Sequence, residues 1–226
     1  MDNKTFLFVI STLNKKYKVK MTRVRPFEVL IHGILSTRTK DETTFPAQRR
    51  LLSLAGNPQK LYSLNAKVIR KLIYPVGFYK TKTKLLKRAA KMLIGDFNGK
   101  VPSSKTDLLK IPGVGPKVAS LVLVWGFGIP VIPVDTHVNR VSQRLGIVPK
   151  GTKPEATQRI LESVLSPKRR LITNKTLVKF GKEICRPLSP LCGICPVYHY
   201  CEFPDKDYYK NRYRNLNKED TYKIYR

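Results

Sequence analysis

The chain has 226 residues, enough for one large domain or two smaller ones, and hydrophobic residues make up 42% of it, which argues against wholesale disorder. Lys and Arg total 44 against 15 Asp and Glu, so the formal net charge is +29. A surface this basic repels itself unless it meets a polyanion or an anionic membrane, and the charge therefore favours a nucleic-acid partner.

The N-terminal segment predicts an amphipathic helix, because Phe6, Val9, Ile10 and Leu13 recur at helical spacing. Its apolar run is too short for a signal peptide, and no stretch reaches the roughly 18 to 20 apolar residues that span a bilayer. We therefore expect no membrane association and an intracellular location, in the cytoplasm or nucleoid.

Short helical patterns separated by Pro, Gly and Asn fill the rest of the chain, beginning with the segment that Pro26 opens. Strand-like alternation is nearly absent, since residues 131–134 are too short and too broken by proline for a sheet. The sequence predicts an all-α fold of about ten or more helices. The segment 203–226 differs, being basic and rich in tyrosine, and is expected to be a packed extension, a basic arm or a disordered tail.

A glycine-rich turn, Leu-x-x-Ile-Pro-Gly-Val-Gly-Pro-Lys-x-Ala, begins at Leu108. Pro112 ends one helix, Gly113 and Gly115 permit a tight turn, and Pro116 suits the first position of the next helix. The free N–H groups of such a turn, next to a helix start, can bind phosphate without reading the DNA sequence. An ordinary turn between core helices is the alternative. Four turn residues are the predicted DNA contacts: Ile111, Gly113, Val114 and Gly115.

A second motif, Val-Asp-Thr-His-Val-Asn-Arg, covers residues 134–140, and four cysteines follow at Cys185-x6-Cys192-x2-Cys195-x5-Cys201. With the turn and the segment 26–31, these motifs resemble the endonuclease III family of DNA glycosylases and AP lyases. The resemblance runs from about residue 22 to residue 202. It implies a helix–hairpin–helix glycosylase fold, with the hairpin at about 104–126 and an iron–sulfur loop at 185–201.

The resemblance also implies two catalytic residues, with Lys117 as the Schiff-base lysine and Asp135 as the essential aspartate. A carboxylate can stabilise the positive charge that develops at the sugar C1′, and an amine can hold C1′ covalently. Lys117 lies one residue inside a helix start in a strongly positive chain, and both features disfavour its protonated form. The alternative for Lys117 is a lysine that contacts phosphate, and the alternative for Asp135 is a helix N-cap.

The four cysteines lie within 17 residues, which in a reducing compartment indicates a single metal centre rather than two disulfides. Spacing alone leaves a [4Fe–4S] cluster and a four-cysteine zinc site open. The resemblance implies the cluster. Between the first two cysteines only Arg186 is basic, so we expect weaker phosphate contact from this loop than the family implies.

Two further loops match positions where the family inserts side chains into DNA. Arg38 stands where bacterial relatives commonly carry a glutamine that enters the duplex, and Phe78 stands where an apolar wedge is usual. The alternatives are a surface phosphate contact for Arg38 and a core position for Phe78. His32 could reach a flipped-out base or have no role. The catalytic glutamate of adenine-excising relatives would fall at Gly33, so adenine excision is not expected.

The expected architecture is two helical domains that flank a DNA-binding cleft, with Lys117 and Asp135 facing each other across it. One domain spans residues 25–130, and the other combines 1–24 with 131–202.

We expect a monomeric, bifunctional glycosylase and lyase that removes oxidised pyrimidines such as thymine glycol from double-stranded DNA and also acts at abasic sites. The alternatives are a monofunctional glycosylase, which usually lacks the lysine, a non-catalytic DNA-binding protein with zinc or iron–sulfur, and an RNA-binding zinc protein.

Overall fold

The computed structural model describes residues 1–214, which form helices and turns without any β-strand. The all-α prediction is confirmed. Of the tyrosine-rich segment, residues 215–226, including Tyr222 and Tyr225, lie outside the described residues. None of the helices in residues 1–214 is long and apolar enough to cross a membrane. The chain divides into two compact units, one formed by Met1–Lys20 with the residues from Val134 onward, the other by Met21–Pro133.

Helix α1, Asn3–Tyr17, confirms the first predicted amphipathic helix. Asp2 caps it by accepting a hydrogen bond from the Thr5 N–H, which satisfies a donor that no helical carbonyl can reach. Its apolar face is buried at the four predicted positions, Phe6, Val9, Ile10 and Leu13.

The unit Met21–Pro133 holds seven α-helices around one apolar core. They are α2 (Pro26–Ser36), α3 (Asp41–Leu54), α4 (Pro58–Ser63), α5 (Ala66–Ile73), α6 (Tyr79–Asp96), α7 (Lys105–Lys110) and α8 (Pro116–Leu121). A π-helical segment, Val122–Phe127, continues α8 without a break.

Helix α2 is the centre of this unit and is buried around most of its circumference. It packs on α3, α6, α8 and the π-helical segment. Its contact with α8 depends on Gly33, because a Cβ atom there would lie 2.5 Å from Cγ1 of Val118. Glycine therefore allows the two helix backbones to approach more closely than any other residue would. This contact sets the position of the start of α8, where Lys117 lies.

The other unit contains α1 and four later helices: α9 (Thr136–Leu145), α10 (Pro154–Val164), α11 (Pro167–Glu183) and α12 (Lys206–Arg214). Helix α1 packs along α11, and the Thr176 hydroxyl donates a 2.6 Å hydrogen bond to Oδ1 of Asn14. Between α11 and α12 the chain forms a loop with two short 3-10 turns, Cys192–Ile194 and Tyr198–Tyr200. Helix α12 packs against the first of these turns.

Candidate active site and iron–sulfur loop

The predicted hairpin joins α7 to α8. Gly113 has a φ of +88°, a conformation that favours glycine, and the Val114 N–H closes the turn by donating to the Ile111 carbonyl at 3.0 Å. The N–H groups of Gly113 and Gly115 donate to no acceptor within residues 1–214, and no side chain caps α8. Ile111 and Val114 are buried, so they hold the turn rather than present side chains to solvent. The hairpin therefore offers backbone N–H donors at a helix start, the arrangement that binds phosphate.

Lys117 is the second residue of α8 and is half-buried. Its amine makes no hydrogen bond and no ion pair to any described residue of its unit. It lies within electrostatic range of His32, whose pKa it helps to lower. The N-terminal end of the helix adds positive potential around the amine.

Asp135 caps helix α9 and is half-buried. Its Oδ1 accepts 2.9 Å hydrogen bonds from the N–H groups of His137 and Val138. Its Oδ2 accepts none from the described residues of its unit. The predicted N-cap is therefore present, and it leaves one carboxylate oxygen, in a fixed orientation, available for a second interaction.

The Arg38 loop and the Phe78 loop contact each other. Both residues adopt left-handed backbone conformations, with φ of +52° and +58°, and the Arg38 guanidinium lies 5.8 Å from the centre of the Phe78 ring. Thr39 Oγ1 accepts a 3.2 Å hydrogen bond from the Gly77 N–H. Phe78 is 62% exposed, which contradicts the alternative prediction that it is a core residue. Two side chains predicted from separate segments therefore project from one surface.

Lys82, which the sequence did not single out, holds this surface together. Its ammonium group donates to the carbonyls of Leu35 and Thr37 at 2.7 and 2.6 Å and to Thr39 Oγ1 at 3.0 Å. The side chain is buried, and burial lowers its pKa to about 8. A buried cation at the C-terminal end of α2 interacts favourably with the helix dipole and fixes the loop that follows.

His32 lies on α2 next to Gly33. Its Nδ1 is 2.9 Å from Oε1 of Gln48, and its ring lies 4.7 Å from the ring of Phe45, centre to centre. Burial, and secondarily the charge of Lys117, lower its pKa, while the Gln48 hydrogen bond opposes that shift. Of the predicted site residues, His32, Lys117, Arg38 and the hairpin all belong to the unit Met21–Pro133.

The four cysteines form no disulfides. Burial raises the pKa of Cys192 to about 11 and that of Cys195 to about 12, and the other thiols contribute to both shifts, so the four sulfurs lie near one another. Yet no three His, Cys, Asp or Glu side chains in residues 1–214 come close enough to ligate a single ion. A zinc ion needs all four sulfurs at about 2.3 Å from one point. A [4Fe–4S] cluster distributes its four thiolate ligands over several irons.

Two arginines on α9 connect the Asp135 helix to the cysteine loop; Arg140 closes the 134–140 motif but was assigned no role from the sequence, and Arg144 was not singled out. Arg140 donates to the carbonyls of Gly181 and Cys185 at 2.9 Å each. Arg144 donates to the carbonyls of Arg186 and Pro187, and its own carbonyl accepts from the Cys201 thiol at 3.2 Å. Their spacing of four residues on one helix face was the available signal.

Arg186 itself is half-buried and donates to the Glu183 carbonyl at 3.1 Å. Leu188, near the middle of the same loop, is 83% exposed. Arg186 is the one cationic side chain between Cys185 and Cys192, and the weak phosphate contact expected from this loop stays a prediction.

An all-helical fold with a glycine-rich hairpin at a helix start and a four-cysteine loop is typical of helix–hairpin–helix DNA-binding proteins with an iron–sulfur site. Residues 31–167 match the model of the HhH-GPD superfamily of base excision DNA repair proteins, and residues 185–201 match the iron–sulfur binding domain of endonuclease III. The chain belongs to the endonuclease III family of this superfamily, and it is a DNA glycosylase and AP lyase by class. Its substrate is DNA.

Characterised relatives support this assignment. The chain is 39% identical over 189 residues to endonuclease III of Thermotoga maritima, covering 84% of this chain and 88% of that protein. It is 41% identical to a chloroplastic endonuclease III homologue of Arabidopsis thaliana, covering 78% of this chain and 48% of that protein. The chain thus spans about half the length of this plant relative.

A solved structure titled as a trapped covalent intermediate of endonuclease III with DNA, in an estranged-adenine complex, superimposes with a TM-score of 0.86 at 29% identity. The superposition covers 92% of this chain and 99% of that one. The predicted fold, family and [4Fe–4S] cofactor are confirmed. The four cysteines would hold the cluster, which joins four points of the loop into one rigid segment.

Proposed function

We propose that this chain is a bifunctional enzyme that removes oxidised pyrimidines such as thymine glycol from duplex DNA and then cleaves the strand by β-elimination. The observation that carries the proposal is the free Lys117 amine beside the hairpin. A trapped covalent DNA intermediate is known for the relative of similar fold. We also propose that the enzyme is localised in the cellular compartment that contains the DNA.

The Lys117 amine would attack C1′ of the damaged nucleotide. The C1′–N bond then breaks, and the base leaves with the bonding electrons and takes up a proton. The bound amine then loses one proton, the C1′–O4′ bond breaks and O4′ takes up a proton, which leaves an iminium ion that still carries one N–H. Removal of a C2′ proton then lets the 3′ phosphate leave, which cleaves the strand. Lysine supplies what a monofunctional glycosylase lacks, an amine that stays bonded to the sugar.

Asp135 would act on the same sugar through its free Oδ2. Positive charge develops at C1′ as the base leaves, and a carboxylate already oriented by two N–H groups stabilises that charge without reorganising. Because Lys117 and Asp135 belong to different units, the proposal requires one DNA duplex to be bound by both. The predicted two-domain cleft thus remains a prediction.

The remaining predicted residues would bind and open the duplex. The hairpin N–H groups of Gly113 and Gly115 suit a phosphate, with Ile111 and Val114 holding the turn. Arg38 and Phe78 project together and suit the gap left by a flipped-out nucleotide. Arg186 stands next to a cluster ligand and would add at most one phosphate contact from the cysteine loop.

The test is borohydride trapping on a duplex with one thymine glycol and on a duplex with one abasic site. The parent should form a covalent adduct on both, and Lys117→Gln should form none. Lys91→Gln is the matched control, because Lys91 is an exposed lysine of α6 that belongs to none of the predicted site motifs. It should trap like the parent.

Each other outcome contradicts part of the proposal. Base release without an adduct would indicate a monofunctional glycosylase. Binding of the duplex without base release or an adduct would indicate a non-catalytic DNA-binding protein. Trapping on the abasic duplex alone would retain the lyase step and reject thymine glycol as a substrate.

A further inference from the structure

Gln48 has a fixed orientation in the structure. Its Nε2 donates a 3.0 Å hydrogen bond to the backbone carbonyl of Glu28. A carbonyl only accepts hydrogen bonds, so the amide nitrogen has to face it and the amide oxygen has to face the other way. That oxygen, Oε1, points to His32.

The orientation of Gln48 determines the tautomer of His32. Since Oε1 is an acceptor, the His32 Nδ1 that lies 2.9 Å from it has to carry the proton. In the neutral ring the other nitrogen, Nε2, is then a bare acceptor. It has no hydrogen-bond partner among residues 1–214.

Burial keeps the ring neutral. The pKa of His32 is lowered, chiefly by burial and also by the positive charge of Lys117, although Gln48 and the nearby carboxylate of Asp41 act in the opposite direction. In the neutral ring Nδ1 is already hydrogen-bonded to Gln48. The lone pair of Nε2 is therefore the one polar group that the ring can offer to a ligand.

His32 stands beside the reactive lysine. Gly33 packs against Val118, and the residues that precede them in α2 and α8 are His32 and Lys117. The charge of Lys117 acts on the His32 ring, which agrees with this proximity. A base bonded to a sugar at Lys117 is therefore within reach of α2.

Phe45 adds an apolar face to this position. Its ring is inclined at 30° to the His32 ring, and the side chain is 52% exposed. An exposed aromatic ring next to an acceptor nitrogen without a partner suits a planar or nearly planar base that brings one N–H donor.

We propose that His32 is a specificity-determining residue that accepts, through Nε2, a hydrogen bond from the N3–H of the excised base. Imide pyrimidines, such as oxidised or reduced thymine and uracil, carry that proton. Cytosine-type bases present a lone pair at N3, which would face the lone pair of Nε2. This inference rests on the proposed function and narrows its substrate class to bases with an N3–H donor.

The tautomer can be tested without DNA. The chain has 3 histidines, so nitrogen-15 signals of the rings are few, and His32→Gln identifies one set by its disappearance. The His32 set should show a protonated Nδ1 and a pyridine-type Nε2 at neutral pH. In Gln48→Leu this preference should be lost, whereas Gln59→Leu, a change at an exposed residue of α4, should retain it. A protonated Nε2 in the parent would overturn the proposal.

Substrate recognition is tested with 5,6-dihydrouracil and its N3-methyl derivative, each placed opposite an abasic spacer so that pairing does not depend on N3. In single-turnover assays the parent should excise the N3–H base at least about tenfold faster, the size of one neutral hydrogen bond. His32→Ala should reduce that preference to within about twofold, and Gln59→Leu should keep it.

An abasic duplex separates this inference from the proposed function. It carries no base, so His32→Ala should cleave it at the parent rate, whereas a purely structural role of His32 would slow both substrates. An equal preference in parent and His32→Ala would overturn the role of His32 while the proposed function stands. If the parent excises neither base yet cleaves the abasic duplex, it is the proposed pyrimidine specificity that fails.

Discussion

Asp135 uses one carboxylate oxygen to cap α9 and leaves the other free. The two interpretations of this residue, helix cap and catalytic group, are therefore compatible. The cap is itself a means of orientation, because two N–H donors hold Oδ1 and thereby fix the direction of Oδ2. A carboxylate held in this way needs no rearrangement when charge develops next to it.

The two roles of Asp135 separate on mutation. Asp135→Asn should keep the cap, since Asn and Asp cap helices about equally well, and its free energy of unfolding should stay within about 1 kcal/mol of the parent. Base excision should slow by about 100-fold or more, because the amide carries no charge. Asp135→Ala should lose a further ~1 kcal/mol of stability. Thermal melts and single-turnover excision measure both, and full excision by Asp135→Asn would reject the catalytic role.

At the scale of helices and loops, long-range hydrogen bonds position the groups that sequence motifs identify. Lys82 on α6 binds the residues that end α2, and Arg144 on α9 binds the backbone that follows the first cysteine. Neither residue belongs to a motif recognised in the sequence. Each satisfies carbonyl groups that a loop leaves without partners, which is how a loop acquires a defined conformation.

Removal of the Lys82 ammonium should loosen the Arg38 loop. In Lys82→Met the apolar stem still fills its buried space, but two carbonyls and the Thr39 hydroxyl lose their donor. Amide exchange at residues 37–39 should accelerate, and KM for damaged duplex should rise about tenfold with a smaller change in kcat.

The control for this variant is Lys84→Met, which removes an exposed lysine from the same helix. It should leave both amide exchange and KM near the parent values. Unchanged exchange at residues 37–39 in Lys82→Met would show that Lys82 does not hold the loop.

At the scale of the whole molecule, the net charge of +29 greatly exceeds what a few site residues require. The 15 Asp and Glu side chains can neutralise only part of the 44 Lys and Arg side chains, so most cationic groups remain available to a polyanion. Such a charge favours rapid, non-specific capture of DNA before a lesion is found.

Binding of undamaged duplex should therefore depend steeply on salt. Release of counterions from six or more neutralised phosphates lowers the association constant by about 1,000-fold between roughly 50 and 200 mM salt. Fluorescence anisotropy with a labelled duplex measures the slope. A fall of less than about tenfold over this range would mean that the basic surface does not serve DNA binding.

Features that depend on residues close together in the sequence could be predicted from the sequence by itself. The hairpin, the helix cap at Asp135 and the cysteine spacing each lie within about 17 residues, where turn chemistry and helical periodicity determine the outcome. The family and its cluster followed from these motifs, as the matches over residues 31–167 and 185–201 confirm.

Only the tertiary structure decided which distant side chains meet. Gln48 is 16 residues from His32, and Lys82 is 45 residues from Thr37. Such contacts depend on how α2 packs against its neighbours, and its contact with α8, for example, depends on the absence of a side chain at Gly33. Helical periodicity tells which face of a helix is buried, but not which residue of another helix lies opposite, because that is set by the packing of all the core side chains together.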